Sequence, residues 1–298
     1  MSPDASRRCN IRYMNATRIK CSESLYSFAM TAKNNNDAQQ ISYPIEQHPE
    51  PGETIEVVPG VRWLSMPMPG SLGFINLYLL RDHDGWWIVD TGLSNEQTAR
   101  LWQRIFATDL KGESVVGVIC THMHPDHIGQ ARMITEQFQC PLYMTRGEYY
   151  QARTFANGSS DSHSSWIGQQ FYKRAGMPAD YLEQISKMWS QRASEGMSMP
   201  TLPGGYERLV DGQVLRIGDN DWRVVVGSGH SPEHACLYSS ALKVLISGDQ
   251  ILPIITSNVS VHPSEPNANP MKDWMESHDR LLEVIPDDTF VLPAHNLP

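Results

Sequence analysis

Four apolar, β-branched runs in this chain each end in a side chain that can offer an electron pair. SVVGVICTH (114–122) closes on His122 and DWRVVVGSGH (221–230) on His230. KVLISGD (243–249) closes on Asp249 and TFVLPAH (289–295) on His295. Continuous runs of this kind are strands buried on both faces, and a polar residue at the C-terminal end is carried to the rim of the sheet. Four of them constrain the chain to a layered α/β fold in which distant segments deliver donors to one edge. At 298 residues the chain is long enough to bury the core such a fold needs.

The rest of the pattern agrees. TIEVVPGVRWLSM (54–66) alternates around a Pro59-Gly60 turn. GFINLYLLRD (73–82) and GWWIVDTG (85–92) read as a hairpin closed at Asp82–Gly85. NEQTARLWQRIFATDL (95–110) has helical spacing, with Leu101, Ile105 and Phe106 on one face and Ser94 as the expected N-cap. IGQARMITEQFQ (128–139) is again helical, PLYMT (141–145) is a short strand, and MKDWMESHDRLLEVI (271–285) is a last helix. Residues 147–203 change character. Helical pieces rich in Trp, Phe, Tyr and Met alternate with Gly- and Ser-rich breaks, which marks a helical insertion. It holds Phe155, Trp166, Phe171, Tyr172, Met188, Trp189, Met197 and Met199 and is placed to cover the rim, although most of these residues are expected only to pack it down. Arg146, Tyr149 and Tyr150 follow a strand end and are the residues expected to reach the rim.

The densest feature is THMHPDHIG (121–129), with three histidines and an aspartate between His122 and His127. His122 and His124 lie two apart at a strand end, so on a strand's period their side chains leave on one side and share one metal ion. Asp126 and His127, beyond the Pro125 turn, serve a second. Neutral imidazoles with a carboxylate are the donor set of zinc, iron or manganese. A lone histidine is more often a surface or core residue than a ligand, and His48, His83, His163, His234, His262 and His278 fall in that class. His234 is the doubtful member because it is close to His230.

Together FINLYLL (74–80), IVDTG (88–92), THMHPDH (121–127), GSGHSPEH (227–234), LISGD (245–249) and LPAH (292–295) resemble the metallo-β-lactamase superfamily, from about Glu56 to His295. The resemblance implies a four-layer αβ/βα sandwich with the helical insertion at about 147–203, and two divalent metal ions, zinc before iron or manganese. It implies that His122, His124 and His230 hold one ion, that Asp126, His127 and His295 hold the other, and that Asp249 bridges them. The expected activity is hydrolysis by a metal-bridging hydroxide. Asp126 would orient the nucleophile, and Asp90 of IVDTG would hold a ligand histidine by its other nitrogen. The sequence is most similar to the glyoxalase II-like branch, which favours a thioester or ester substrate. The basic residues with which glyoxalase II binds glutathione have no match here. Lactone or β-lactam hydrolysis and a mononuclear iron persulfide dioxygenase are the competing activities, because the motif alone does not choose among them.

Composition removes other classes. A net charge of −9 disfavours a nucleic-acid partner, and no apolar run is long enough to span a membrane. Five cysteines, at 9, 21, 120, 140 and 236, form no CxxC pair. Cys120 and Cys236 are expected in the core, none is assigned to metal, and a cytoplasmic location fits. The expected partner is a small-molecule substrate. Residues 1–41 read as a disordered N-terminal segment and 42–298 as the domain. Because the sequence stops three residues after His295, where the resemblance implies further helices, the expectation is a domain truncated at its C-terminus with a weakly anchored His295.

Overall fold

The computed structural model describes residues 41–156, 166–192 and 200–298. The N-terminal segment lies outside this range, as do Met197, Met199 and the side chains of Met188 and Trp189. The architecture below is that of Tyr43–Pro298.

Seven strands form the first sheet in chain order: β1 (Ile55–Val58), β2 (Val61–Pro67), β3 (Phe74–Asp82), β4 (Gly85–Val89), β5 (Val115–Ile119), β6 (Leu142–Thr145) and β7 (Glu207–Leu209). The first four are antiparallel, and β4 to β7 run parallel. Parallel neighbours need crossovers. These are α1 (Glu96–Thr108), the short α2 (Pro125–Ile128) with α3 (Ala131–Phe138), and the insertion, which comprises α4 (Arg146–Ala156), α5 (Trp166–Arg174) and α6 (Ala179–Arg192). The second sheet has β8 (Val214–Ile217), β9 (Asn220–Gly227), β10 (His234–Ser239), β11 (Val244–Gly248) and β12 (Phe290–Pro293), in the order β12-β11-β10-β9-β8. The helix α7 (Pro270–Val284) connects β11 to β12, which pair in parallel.

The two-residue period of the strands sorts side chains into layers. On β3, Leu77 and Leu79 face Trp102 and Ile105 of α1 and Ile134 of α3, whereas Tyr78 and Leu80 face the second sheet. On β9, Val224 joins Leu237, Ile246 and Leu292 against the first sheet, and Val225 turns outward to Leu281 of α7. The result is helix, sheet, sheet, helix, the sandwich that the sequence implied.

Strand direction then locates the rim. In the first sheet β4, β5 and β6 are parallel, so Val89, Ile119 and Thr145 end at one edge. In the second sheet β9 and β11 are each antiparallel to β10, and β12 is parallel to β11, so Gly227, Gly248 and Pro293 also end together.

Some local expectations change. The α1 N-cap is Asn95, whose side chain accepts from Thr98 N at 2.8 Å, and not Ser94; both can cap, and the chain enters the helix one residue later. YERLVDGQVLRIG supplies one strand to each sheet, β7 to the first and β8 to the second. Within the insertion, Phe155 packs against the core and Phe171 rests on Tyr172, while Trp166 is exposed. Tyr149 is buried against Tyr206, with ring centroids 3.9 Å apart, and Arg146 and Tyr150 are exposed.

Candidate metal centre

All seven residues expected as ligands converge at the rim. One group is His122, His124, His230 and Asp249. The other is Asp126, His127 and His295. Within each group the donor atoms lie within 4.8 Å of one another. In the first, His122 Nε2 is 2.8 Å from His124 Nδ1 and 3.2 Å from His230 Nε2. Asp249 Oδ2 is 3.8 Å from His122 Nε2 and 3.3 Å from His230 Nε2. In the second, Asp126 Oδ2 is 3.7 Å from His127 Nε2 and 3.5 Å from His295 Nε2. Asp249 Oδ1 completes it, 3.6 Å from His127 Nε2 and 3.5 Å from His295 Nε2. The two oxygens of Asp249 are thus divided between the groups.

Strand period does not produce this. β5 ends at Ile119, and His122 and His124 lie in the loop beyond it, with His124 at the N-cap of α2. The loop is shaped by Asp90, buried in the left-handed region at φ 62° just after β4. The Asp90 carboxylate accepts from Thr121 N at 2.8 Å, from Thr121 Oγ1 at 2.8 Å and from His127 Nδ1 at 2.8 Å. Its part is to position His127 and the loop.

The far ring nitrogens fix what the near ones offer. His230 Nδ1 donates to the carbonyl of Asn258 at 2.8 Å, and His295 Nδ1 to that of Phe74 at 3.0 Å. A carbonyl only accepts, so the proton sits on Nδ1. His127 Nδ1 faces Asp90 in the same sense. Thr121 Oγ1 spends its hydrogen on Asp90 and therefore accepts from His122 Nδ1 at 3.1 Å. In their neutral forms four histidines turn Nε2 lone pairs inward.

Lone pairs and carboxylate oxygens facing one another have no protein donor to satisfy them. His127 Nε2 and Asp249 Oδ1 are both buried without a hydrogen-bond partner. Such groups carry a large desolvation cost unless something fills the gap. Tetrahedral ligands about 2.0–2.1 Å from a zinc ion lie roughly 3.3 Å from one another. The separations given above, 2.8–3.8 Å in the first group and 3.5–3.7 Å in the second, lie within about 0.5 Å of that value. The residues present fit two metal ions.

The electrostatics of the two groups differ. Burial pushes His122 well below its ordinary value and His124 to about 4, with neighbouring histidines adding to the effect. Burial acts in the same direction on His127, but Asp90, Asp126 and Asp249 outweigh it and raise the imidazole to about 10. His295 is raised in the same way by Asp126 and Asp249 against burial. Burial disfavours charge on Asp249, yet His127, His230 and His295 hold its carboxyl well below the usual range.

Two residues behind the ligands carry more than the sequence disclosed. His234 is buried, stacks on His122 with centroids 4.8 Å apart, and accepts from Asp249 N at 3.1 Å. Its ring is accommodated because residue 248 is glycine: a Cβ there would meet His234 Nε2 at 2.6 Å. Glu148, in the first turn of α4, is buried; it accepts from Met123 N at 2.9 Å and from Glu233 N at 2.8 Å. It ties the His122–His124 loop to the loop after His230. An acid in the first turn of a helix ordinarily complements the helix dipole, so nothing in RGEYY singled it out. Burial outweighs these bonds and the Ser231 hydroxyl, and raises Glu148 to about 7. Cys120 and Cys236 are buried, with burial pushing the Cys236 thiol to about 12.

His295 is firmly held, against expectation. Asn76 N donates to Ala294 O at 2.7 Å, Asn76 Nδ2 to Pro293 O at 3.0 Å and to Asn296 O at 2.6 Å, and Tyr78 OH to Pro293 O at 2.7 Å. These bonds clamp residues 293–296 onto β3 on either side of the ligand.

The sequence profile of the metallo-beta-lactamase superfamily matches residues 70–295, and the chain belongs to that family. A beta-lactamase domain protein from Burkholderia ambifaria superposes with a TM-score of 0.73 at 42% identity, covering 86% of this chain and 75% of that one. A metallo-beta-lactamase family protein from Thermus thermophilus does so with a TM-score of 0.65 at 25% identity, covering 80% and 74%. The acyl-coenzyme A thioesterase MBLAC2 of Bos taurus is 24% identical over 245 residues, 79% of this chain and 78% of that protein. No helix among the described residues is long and apolar enough to cross a membrane.

Proposed function

We propose that the protein is a dinuclear metal-dependent hydrolase of a thioester or ester, of glyoxalase II-like type. The observation that carries the reading is the division of the Asp249 oxygens between two sets of inward-facing lone pairs. His122, His124 and His230 would hold one ion, and Asp126, His127 and His295 the other, with zinc as the expected metal. Two divalent ions supply a water acidified from about 16 towards about 7, and a Lewis acid for the carbonyl oxygen. The chain's own residues do the rest. Asp90, Thr121, Asn258 and Phe74 fix the ring tautomers, and Asp126 presents a carboxylate to orient the nucleophile. The thioesterase name of the Bos taurus relative supports the choice of thioester.

The test is metal content per chain in protein purified without chelator or affinity metal, followed by a panel of thioesters, esters, lactones and β-lactams. Two ions per chain with thioester or ester turnover is the expected result. Turnover of lactone or β-lactam alone would replace the substrate class. One iron per chain with oxygen uptake would overturn the mechanism in favour of persulfide oxidation.

A further inference from the structure

The loop 256–259 and the start of α7 flank an open cleft of about 520 Å³, lined by Thr256, Ser257, Asn258, Val259, Met271 and Trp274. Its walls are the groups that support the candidate metal ligands. The Asn258 carbonyl accepts from His230 Nδ1, and the Ser257 hydroxyl donates to the Asp249 carbonyl. Trp274 packs against Gly229, next to His230, where an added Cβ would meet Trp274 Cβ at 2.4 Å. In three places the cleft is a residue or less from a ligand.

Exposed apolar side chains flank its lining segments in the sequence. Ile254, Ile255, Val261, Met271 and Met275 are all exposed. Met271 and Met275 are four apart on α7 and so share a face. A grouping of exposed apolar side chains around a concavity of this size marks a ligand site.

We propose that this cleft seats the acyl chain of the substrate, with Val259, Met271 and Trp274 as its specificity-determining residues. The inference rests on the thioester reading above and adds an aliphatic chain on the acyl side. With the reacting carbonyl at the rim, the chain runs past His230 into the cleft.

Two measurements on the protein as purified test this. The first is kcat/KM for a series of N-acetylcysteamine thioesters from acetyl to decanoyl. Wild type is expected to gain with each methylene, by up to about fourfold, the transfer value of a buried CH₂. Met271→Asp and Val259→Asp are expected to flatten that slope. The Met271 change suits folding, because the position is exposed in the first turn of α7, where an acid complements the helix dipole. The second measurement is quenching of tryptophan fluorescence by 11-bromoundecanoate, which needs no turnover. Most of the quenching is expected to be lost in Trp274→Phe. Thioester turnover with a flat slope in wild type, a slope unchanged in both aspartate variants, or quenching that persists in Trp274→Phe would overturn the cleft assignment and leave the proposed function standing. No turnover of a thioester or an ester of any length would remove that function, and the cleft's role with it.

Discussion

The two halves of the centre are built from the same residue types and behave as opposites. The half with His122 and His124 keeps these two rings neutral, since burial holds His124 at about 4 and His122 well below its ordinary value. It offers lone pairs at neutral pH with no proton to displace. In the half with Asp126, His127 and His295, carboxylates surround the rings, and burial loses to them; His127 rises to about 10. Without a metal ion it holds protons where a cation would go. The lesson is that imidazole ligands can be prepared for a cation in two ways, by removing charge or by accumulating negative charge. The second couples binding to pH.

The strongest test of this contrast is the residue both halves share. Asp249→Ala removes an oxygen from each, so metal content is expected to fall in both and turnover by at least about 10²–10³-fold. Asp126→Ala, in contrast, should leave the first ion in place. Elemental analysis of the two variants checks this, and equal losses would break the contrast.

Next in size is Asp90→Asn. Asparagine is among the few side chains that tolerate the left-handed backbone at this position, so the backbone is kept while the charge is lost and an amide NH₂ is turned towards Thr121 or His127. Affinity for the second ion is expected to fall about 10- to 100-fold, and for the first by less, because Asp90 reaches that half only through Thr121. Chelator competition measures both.

The pH dependence follows with its sign. His127 must shed a proton to accept a metal ion, so the second ion's affinity rises with pH by about tenfold per unit, and the upward shift of His295 acts in the same direction. His122 and His124 are already neutral, so the first ion's affinity rises less steeply between about pH 6 and 8. Titrations with zinc at those two pH values decide, and parallel slopes would refute the contrast.

Much of this was legible because apolar runs ending in His or Asp state both a strand and its destination. The layered α/β class, the rim and four donors, His122, His230, Asp249 and His295, follow from that pattern, whereas the four-layer order and the full set of seven ligand positions come from the resemblance to the metallo-β-lactamase superfamily. The geometry of the ligands does not. His122 and His124 lie beyond β5, and their direction comes from Thr121 and Asp90, brought close by a neighbouring strand. The inward nitrogen is Nε2 for His122 and Nδ1 for His124. For His230, His127 and His295 it follows from partners at Asn258, Asp90 and Phe74, far away in sequence. The anchoring of His295 was misjudged for the same reason, because its support is β3, some 220 positions earlier. Sequence shows what a strand carries to the rim, but not what meets it there.

Glu148 gives the smallest effect and the finest test. It stands behind the neutral half as Asp90 stands behind the charged one, but it holds backbone N–H groups of two loops where Asp90 holds an imidazole. Glu148→Gln keeps the volume and turns an amide NH₂ towards one of those N–H groups. The first ion should be weakened by about tenfold, the low end for a supporting residue, with the second unaffected. Stability adds a sign. The folded value of about 7 lies above the ordinary 4.5, so native protein binds the extra proton, and the contribution of Glu148 is full below about 4.5 and lost as pH rises through about 7. A permanently neutral glutamine has no such loss. The deficit in Tm of metal-free Glu148→Gln relative to wild type should therefore shrink from about pH 5 to pH 8. A deficit that grows over that range would mean that Glu148 is held as an anion, and that the neutral half, like the other, is built on buried charge.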